Sequence, residues 1–277
     1  MTVRPARAPA SWAIAAAAVA LVVWSAHGAG VDFVTLFGGE AIRQIGLYVA
    51  RLFPPDLSPV ALRAAAVGAV ETFAISFVGS LLSVMIALPL AIATMRTLLY
   101  RGALYEGQQL HASRRLAGVA VYAAAKAILN VLRTIPEIVW ALIFVFMVGL
   151  GPFPGVLALG LHTGGVLGKL FGEVLEDVDP RPLEALQATG ATRRQILLYG
   201  VLPQAAPQFL SYALYRWEVN IRAAAIMGFV GAGGLGSQIH IAISLFLEQQ
   251  LLTLILAVYV IVTLVDALSA WLRSRLV

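Results

Sequence analysis

Apolar residues fill long stretches of this chain, and polar residues are gathered into the short segments between them. A helix advances about 1.5 Å per residue, so about 20 consecutive apolar residues match the hydrocarbon core of a bilayer. By that rule the sequence predicts an all-α polytopic membrane protein with six crossings. The first covers residues 11–26, with Trp12 and Trp24 placed as interfacial anchors and Arg4 and Arg7 ahead of it. It reads as a retained anchor; a cleaved signal peptide is the competing reading, because the stretch is short and small residues follow at 25–29. The second covers 67–93, with Pro89 expected to kink it.

Residues 116–150 are too many for one straight crossing and are interrupted by Arg133, Pro136 and Glu137. The third crossing is therefore expected to bend near Pro136. The run 149–155 predicts a tight turn. The fourth crossing follows at 156–174, the fifth begins after Pro207 and ends in a glycine-rich break, and the sixth covers 251–272. This divides the chain into an anchor with its connection, 1–63, and a core, 64–277.

Composition agrees, with 60% hydrophobic residues, 12% charged and a mean hydropathy of +0.89. That is too little charge to cover a soluble domain. The net charge of +5 does not point to nucleic acid, because the basic residues sit in the connections, where they orient a membrane protein. Arg96, Arg101, Arg114 and Arg115 mark one connection as cytoplasmic, while 27–63 balances its charges and suits the outer side; both termini are expected inside. With no cysteine there is no disulfide, thiolate metal site or cysteine nucleophile. His27, His111, His162 and His240 show no metal-ligand spacing.

The most informative stretch is polar and lies at 179–203. Pro180 and Pro182 suit a helix start, Gly190 a left-handed helix end, and Thr192 the cap of a second helix with polar Arg193 and Arg194 and apolar Ile196 and Leu197. Pro203 is expected to end that second element. A helix–glycine–helix knob on a membrane domain is shaped to fit a cleft in another protein; an ordinary surface loop is the plainer alternative. The spacing resembles the EAA loop of binding-protein-dependent ABC importer permeases, matching at Glu184, Ala185, Gly190, Leu202 and Pro203. It departs at Leu186, where the pattern has Ala, and at Gly200, where it has Ile.

The resemblance implies that 179–203, including Arg193, docks on an ATP-hydrolysing subunit, and that residues from about 67 onward form a core similar to methionine-type permeases. Segments 133–137, 151–153 with 161–163, 215–222 and 228–236 resemble phosphonate permeases, the last being shared with methionine-type permeases. It further implies a bacterial inner-membrane homodimer working with two ATP-binding subunits and an external substrate-binding protein. ATP and Mg would then be held by the partner, with no cofactor on this chain. A methionine or other small-solute permease of the same fold is the nearer rival. A membrane-embedded transferase is the distant one, and would need a polar constellation that the sequence does not contain.

Ionisable residues within apolar spans are expensive and so are functional candidates. Arg133, Glu137, His162, Arg216, Glu218 and Arg222 are taken as lining a translocation path or gate. Glu218 and Arg222, four apart, are placed to pair along one helix face, more as a structural couple than as cargo contacts. Glu137 and Lys169 are either partners between the third and fourth spans or groups facing water near the span ends, and Arg216 and Trp217 are placed for an interface. The glycine run 228–236 lacks the Gly-Lys-Ser/Thr ending of a phosphate loop, which excludes nucleotide binding there. Gly231, Gly233 and Gly234 instead suit a backbone break and close helix approach at a gate.

Overall fold

The computed structural model describes residues 8–30, 37–99 and 111–276, and divides into two compact units, Met1–Phe53 and Pro54–Val277. The first contains α1 (Ala8–Gly28) and α2 (Gly39–Leu52). Helix α2 is amphipathic, and its exposed Glu40 accepts from Arg43 and Gln44. Those hydrogen bonds, Arg43's first, hold the Glu40 carboxyl below its ordinary pKa.

The second unit contains α3 (Pro59–Ala93), the short α4 (Arg96–Leu99), α5 (Ala112–Thr134), α6 (Glu137–Val148) and α7 (Pro152–Glu176). The short α8 (Pro180–Ala188) and α9 (Arg193–Gln195) follow. A widened π turn (Ile196–Val201) leads into α10 (Leu202–Met227), and then come α11 (Gly234–Ser244) and α12 (Glu248–Leu276). Helices α3, α5, α7 and α12 are each long and apolar enough to span a bilayer. The run Arg193–Val230 with α11, bent by 43°, makes a fifth. The apolar part of α1, Trp12–Gly28, is shorter.

Helix α7 is the hub: 61% of its apolar window is buried inside the chain, against 17% for α5 and 22% for α12. Its small residues allow this. Gly160, Gly164, Gly168 and Gly172 recur every four positions and so form one stripe. A methyl at Gly164 would sit 3.1 Å from Ile86 of α3, and one at Gly165 would sit 2.7 Å from the backbone nitrogen of Arg133 of α5. Leu82 and Leu129 fill the spaces at Gly160 and Gly168. Bilayer lipid offers little hydrophobic driving force between helices, so this close backbone approach and interhelical hydrogen bonds hold the bundle.

One such bond chain crosses three helices. Thr163 of α7 donates to Asn220 Oδ1 of α10 at 2.8 Å, and Asn220 Nδ2 donates to Ser80 Oγ of α3 at 2.8 Å. Thr163 and Asn220 are buried. Phe73 and Phe77 of α3 meet the Trp217 ring edge-on, with centroids 5.9 and 5.6 Å away.

Several boundaries depart from the sequence reading. Residues 59–63, assigned to the first domain's connection, start α3, where Ser58 accepts from the Ala61 N–H. Helix α3 continues unbroken through Pro89. The turn at 149–155 is only three residues long, because Pro152 supplies the fixed φ of a first helical turn. Pro207 lies inside α10 rather than before it, and Pro203 ends nothing. Arg193–Val230 is one helical run, with Pro203 just past the widened turn. The bend near Pro136 is present, with α5 stopping at Thr134 and α6 starting at Glu137.

Candidate functional site

Two regions carry the candidate residues. The first is the knob at 179–203. Asp179 caps α8 by accepting from the Arg181 N–H at 3.0 Å. At the other end the Gly190 N–H donates to the Gln187 carbonyl and the Ala191 N–H to the Leu186 carbonyl. This pairing closes a helix around a left-handed residue, and Gly190 has φ +82°. Thr192 and Gln195 then form a reciprocal capping box that opens α9. Leu183 and Ile196 turn inward and are buried in one apolar cluster with Met95, Phe171 and Val201. Glu184, Ala185, Gly190, Arg193 and Pro203 remain exposed, and Leu202 is half-buried. The knob is thus anchored from beneath and bare on top, and its second helix is continuous with α10.

The second region surrounds the break between α5 and α6. A residue before proline is pushed out of helical geometry, and Ile135 is extended at φ −79°, ψ 121°. That leaves a carbonyl without a helical donor. His162 of α7 meets it, with Nδ1 2.9 Å from the Ile135 carbonyl oxygen, and its Nε2 lies 3.5 Å from Glu137 Oε2. Trp140 Nε1 donates across the break to the Leu132 carbonyl at 3.2 Å. Glu137 also acts electrostatically on Arg216 of α10, whose buried Nε has no hydrogen-bond partner among the described residues. Arg133 is held by Asn130 Oδ1, at 3.1 Å from Nε and 2.8 Å from Nη2. Glu137 and His162 therefore form one polar locus, with Arg216 within electrostatic reach of Glu137 and Arg133 just across the break.

The glycine-rich break is a third feature, fastened to both flanking elements. Gly231 and Gly233 have φ of +90° and +75°, which L side chains rarely adopt. The Gly151 N–H, in the α6–α7 turn, donates to the Gly231 carbonyl at 2.9 Å. The first N–H groups of α11 are capped from α3: Gly234 donates to Glu71 Oε2 at 2.9 Å and Leu235 to Thr72 Oγ1 at 2.8 Å. A carboxylate suits that helix N-terminus.

Two expected pairings are wrong. Glu218 and Arg222 do not pair through their charges. Arg222 reaches Asp266 of α12 and gives only one N–H to the Glu218 backbone, while Glu218 lies 2.6 Å from Arg273. Helix α12 brings opposite charges to both, and it is distant in sequence. Lys169 pairs with Glu173 one turn along α7 rather than with Glu137. Trp217 is not at an interface but only 5% exposed, among Phe73 and Phe77. Sequence reasoning also missed Glu71, Asn220 and Asp266. Glu71 and Asp266 are lone carboxylates within apolar runs and carried the same signal as Glu218; Asn220 carried no charge to mark it.

With this geometry in place, the chain can be set beside known proteins. It is 39% identical over 245 residues to the phosphite transport system permease protein of Stutzerimonas stutzeri, covering 88% of this chain and 82% of that one. An Escherichia coli protein named for a cryptic phosphonate transport system is 47% identical over 122 residues, which is 44% of this chain and all of that one. Among solved structures, the MetNI methionine ABC transporter in an inward-facing form matches with a TM-score of 0.64 at 23% identity, over 80% of this chain and 100% of that one. The family described as binding-protein-dependent transport system inner membrane component matches residues 111–277. With the α8–α9 knob joined to a membrane-spanning bundle, the chain belongs to that family and is the non-enzymatic, multi-pass permease subunit of an ABC importer.

Proposed function

We propose that this permease imports a small phosphorus oxyanion, a phosphonate or the related phosphite, as a homodimer with two ATP-binding subunits and an external substrate-binding protein. One observation carries the mechanism: the exposed knob is joined to α10 without a helical break, from Arg193 to Val230. In this reading α8 and α9 face the cytoplasm with both termini, and ATP-driven closure of the motor pulls on the knob. ATP and Mg stay on the motor, and this chain holds no cofactor. A continuous helix passes that displacement to the far end of α10, where Gly231 and Gly233 break the backbone and Glu71 and Thr72 hold the start of α11. Rigid-body rocking then exposes the central path to each side in turn.

The proposed path runs along the α5–α6 break, where Arg133 and Arg216 offer cationic groups to an anion, and Glu137 and His162 hold the locus in place. The external receptor supplies most of the discrimination. Glu218 and Arg222, each matched by a charge on α12, brace α10 rather than touch the cargo.

The test is growth of a strain lacking the gene with a phosphonate as sole phosphorus source, beside methionine-limited growth. Loss of phosphonate growth, restored by the gene, is the expected result. Intact phosphonate uptake with lost methionine uptake would overturn the cargo and favour the methionine-type reading. Co-purification of two differently tagged copies tests the homodimer.

A further inference from the structure

At the knob end of the bundle, the α3–α4 junction, α5 and α7 border a recess of about 510 Å³ whose lining is rich in cations. The whole sequence contains two lysines, Lys126 and Lys169, against seventeen arginines, and both lysines line this recess. Arg96 and Arg133 join them. Tyr122, Lys126, Asn130 and Arg133 follow one another at intervals of four, four and three along α5, so they share a face.

The partners of these cations matter as much as their number. Lys126 Nζ lies 3.1 Å from the Tyr122 hydroxyl, and Arg133 leans on the Asn130 side-chain oxygen; both partners are neutral. Among the described residues neither Lys126 nor Arg133 has a carboxylate within salt-bridge range. Three acids also line the recess, and two are already engaged. Glu173 faces Lys169 at 3.5 Å, and Glu176 accepts from the Arg96 backbone N–H. Asp177 is the third, where α7 ends. Buried acids that neutralised Lys126 and Arg133 would make a structural network; among the described residues, neutral hydrogen-bond partners instead orient the two cations and leave their charge unmatched.

We propose that this recess binds a phosphorus oxyanion, with Lys126 and Arg133 as its principal contacts and Lys169 facing them from α7. Lysine is a compact charge suited to phosphate oxygens, and arginine adds a planar donor pair. The volume admits either a soluble phosphate-type ion or the headgroup phosphate of an anionic lipid, both of which present this chemistry. The recess shares Arg133 with the path proposed above but contains none of Glu137, His162 and Arg216 in its lining, and an oxyanion there does not depend on the cargo assigned above.

The two lysines make the test direct. The full permease, in phosphatidylcholine nanodiscs, is treated with an amine-reactive reagent, and labelling of Lys126 and Lys169 is followed by mass spectrometry. Methylphosphonate or inorganic phosphate is expected to slow labelling of both lysines several-fold, while chloride at equal ionic strength does not. If only phosphatidylglycerol in the nanodisc slows it, the oxyanion is a lipid headgroup. Arg133→Gln should raise the half-protecting concentration several-fold, and Arg275→Gln should leave it unchanged. Equal protection by chloride, or no protection by either phosphate source, would overturn the site. Neither result bears on growth with phosphonate, so the two proposals fail separately.

Discussion

Leu186 and Gly200 occupy the same space: a methyl placed on Gly200 would stand 3.0 Å from Leu186 Cδ1, and 2.7 Å from Leu183 Cδ2. These are the two positions at which the chain departs from the EAA pattern. The larger residue on α8 fills the room left by the smaller one in the widened turn, so the departures compensate each other. Gly200→Ala alone should overpack the knob, costing about 1–3 kcal/mol. Combined with Leu186→Ala, it should cost less than the sum of the two single changes, by at least about 0.5 kcal/mol. Thermal unfolding in detergent of the four variants measures this; strict additivity would separate the two positions.

Gly190 tests the docking face with little disturbance to the fold. Nothing lies within 4 Å of a methyl placed there, so Gly190→Leu meets only the left-handed backbone, at a cost of about 1–2 kcal/mol. The variant should reach the membrane at near-normal levels and lose transport, because the added bulk stands on the exposed surface of the knob. Normal uptake with normal abundance would remove the knob from the coupling role.

The pair between Arg222 and Asp266 joins α10 to α12. Removing one member strands its partner's charge, which costs about 3–5 kcal/mol when the pair is fully buried and less here, where both side chains are partly exposed. Asp266→Ala and Arg222→Ala should each lower the melting temperature, and the exchange Arg222→Asp with Asp266→Arg should recover much of the loss. Uptake should follow stability rather than cargo chemistry, with receptor affinity unchanged. An exchange no better than either single variant would assign Arg222 another partner.

The absence of cysteine makes sidedness measurable. Arg194→Cys and Ser274→Cys should react with a membrane-impermeant maleimide only after lysis, and Leu57→Cys in intact cells. All three positions are exposed, and the caps at Thr192 and Ser58 are left in place. Labelling of Arg194→Cys in intact cells would invert the topology.

The sequence by itself determined the class of protein, the bend at Pro136 and the form of the knob. These depend on local causes: the length of apolar runs, the fixed geometry of proline, and the backbone freedom that Gly190 uses at φ +82°. Helix continuity at Pro203 was not legible, because a widened turn absorbs a missing N–H that sequence rules treat as a stop. The charge partners could not be read either. Arg222 had a carboxylate four residues away on its own helix, yet the packing of α10 on α12 brought Asp266, forty-four positions on, into range. Glu71 likewise became a cap only when α3 met α11. Where a charge inside a membrane is matched, the residue that matches it is decided by the helix that packs beside it.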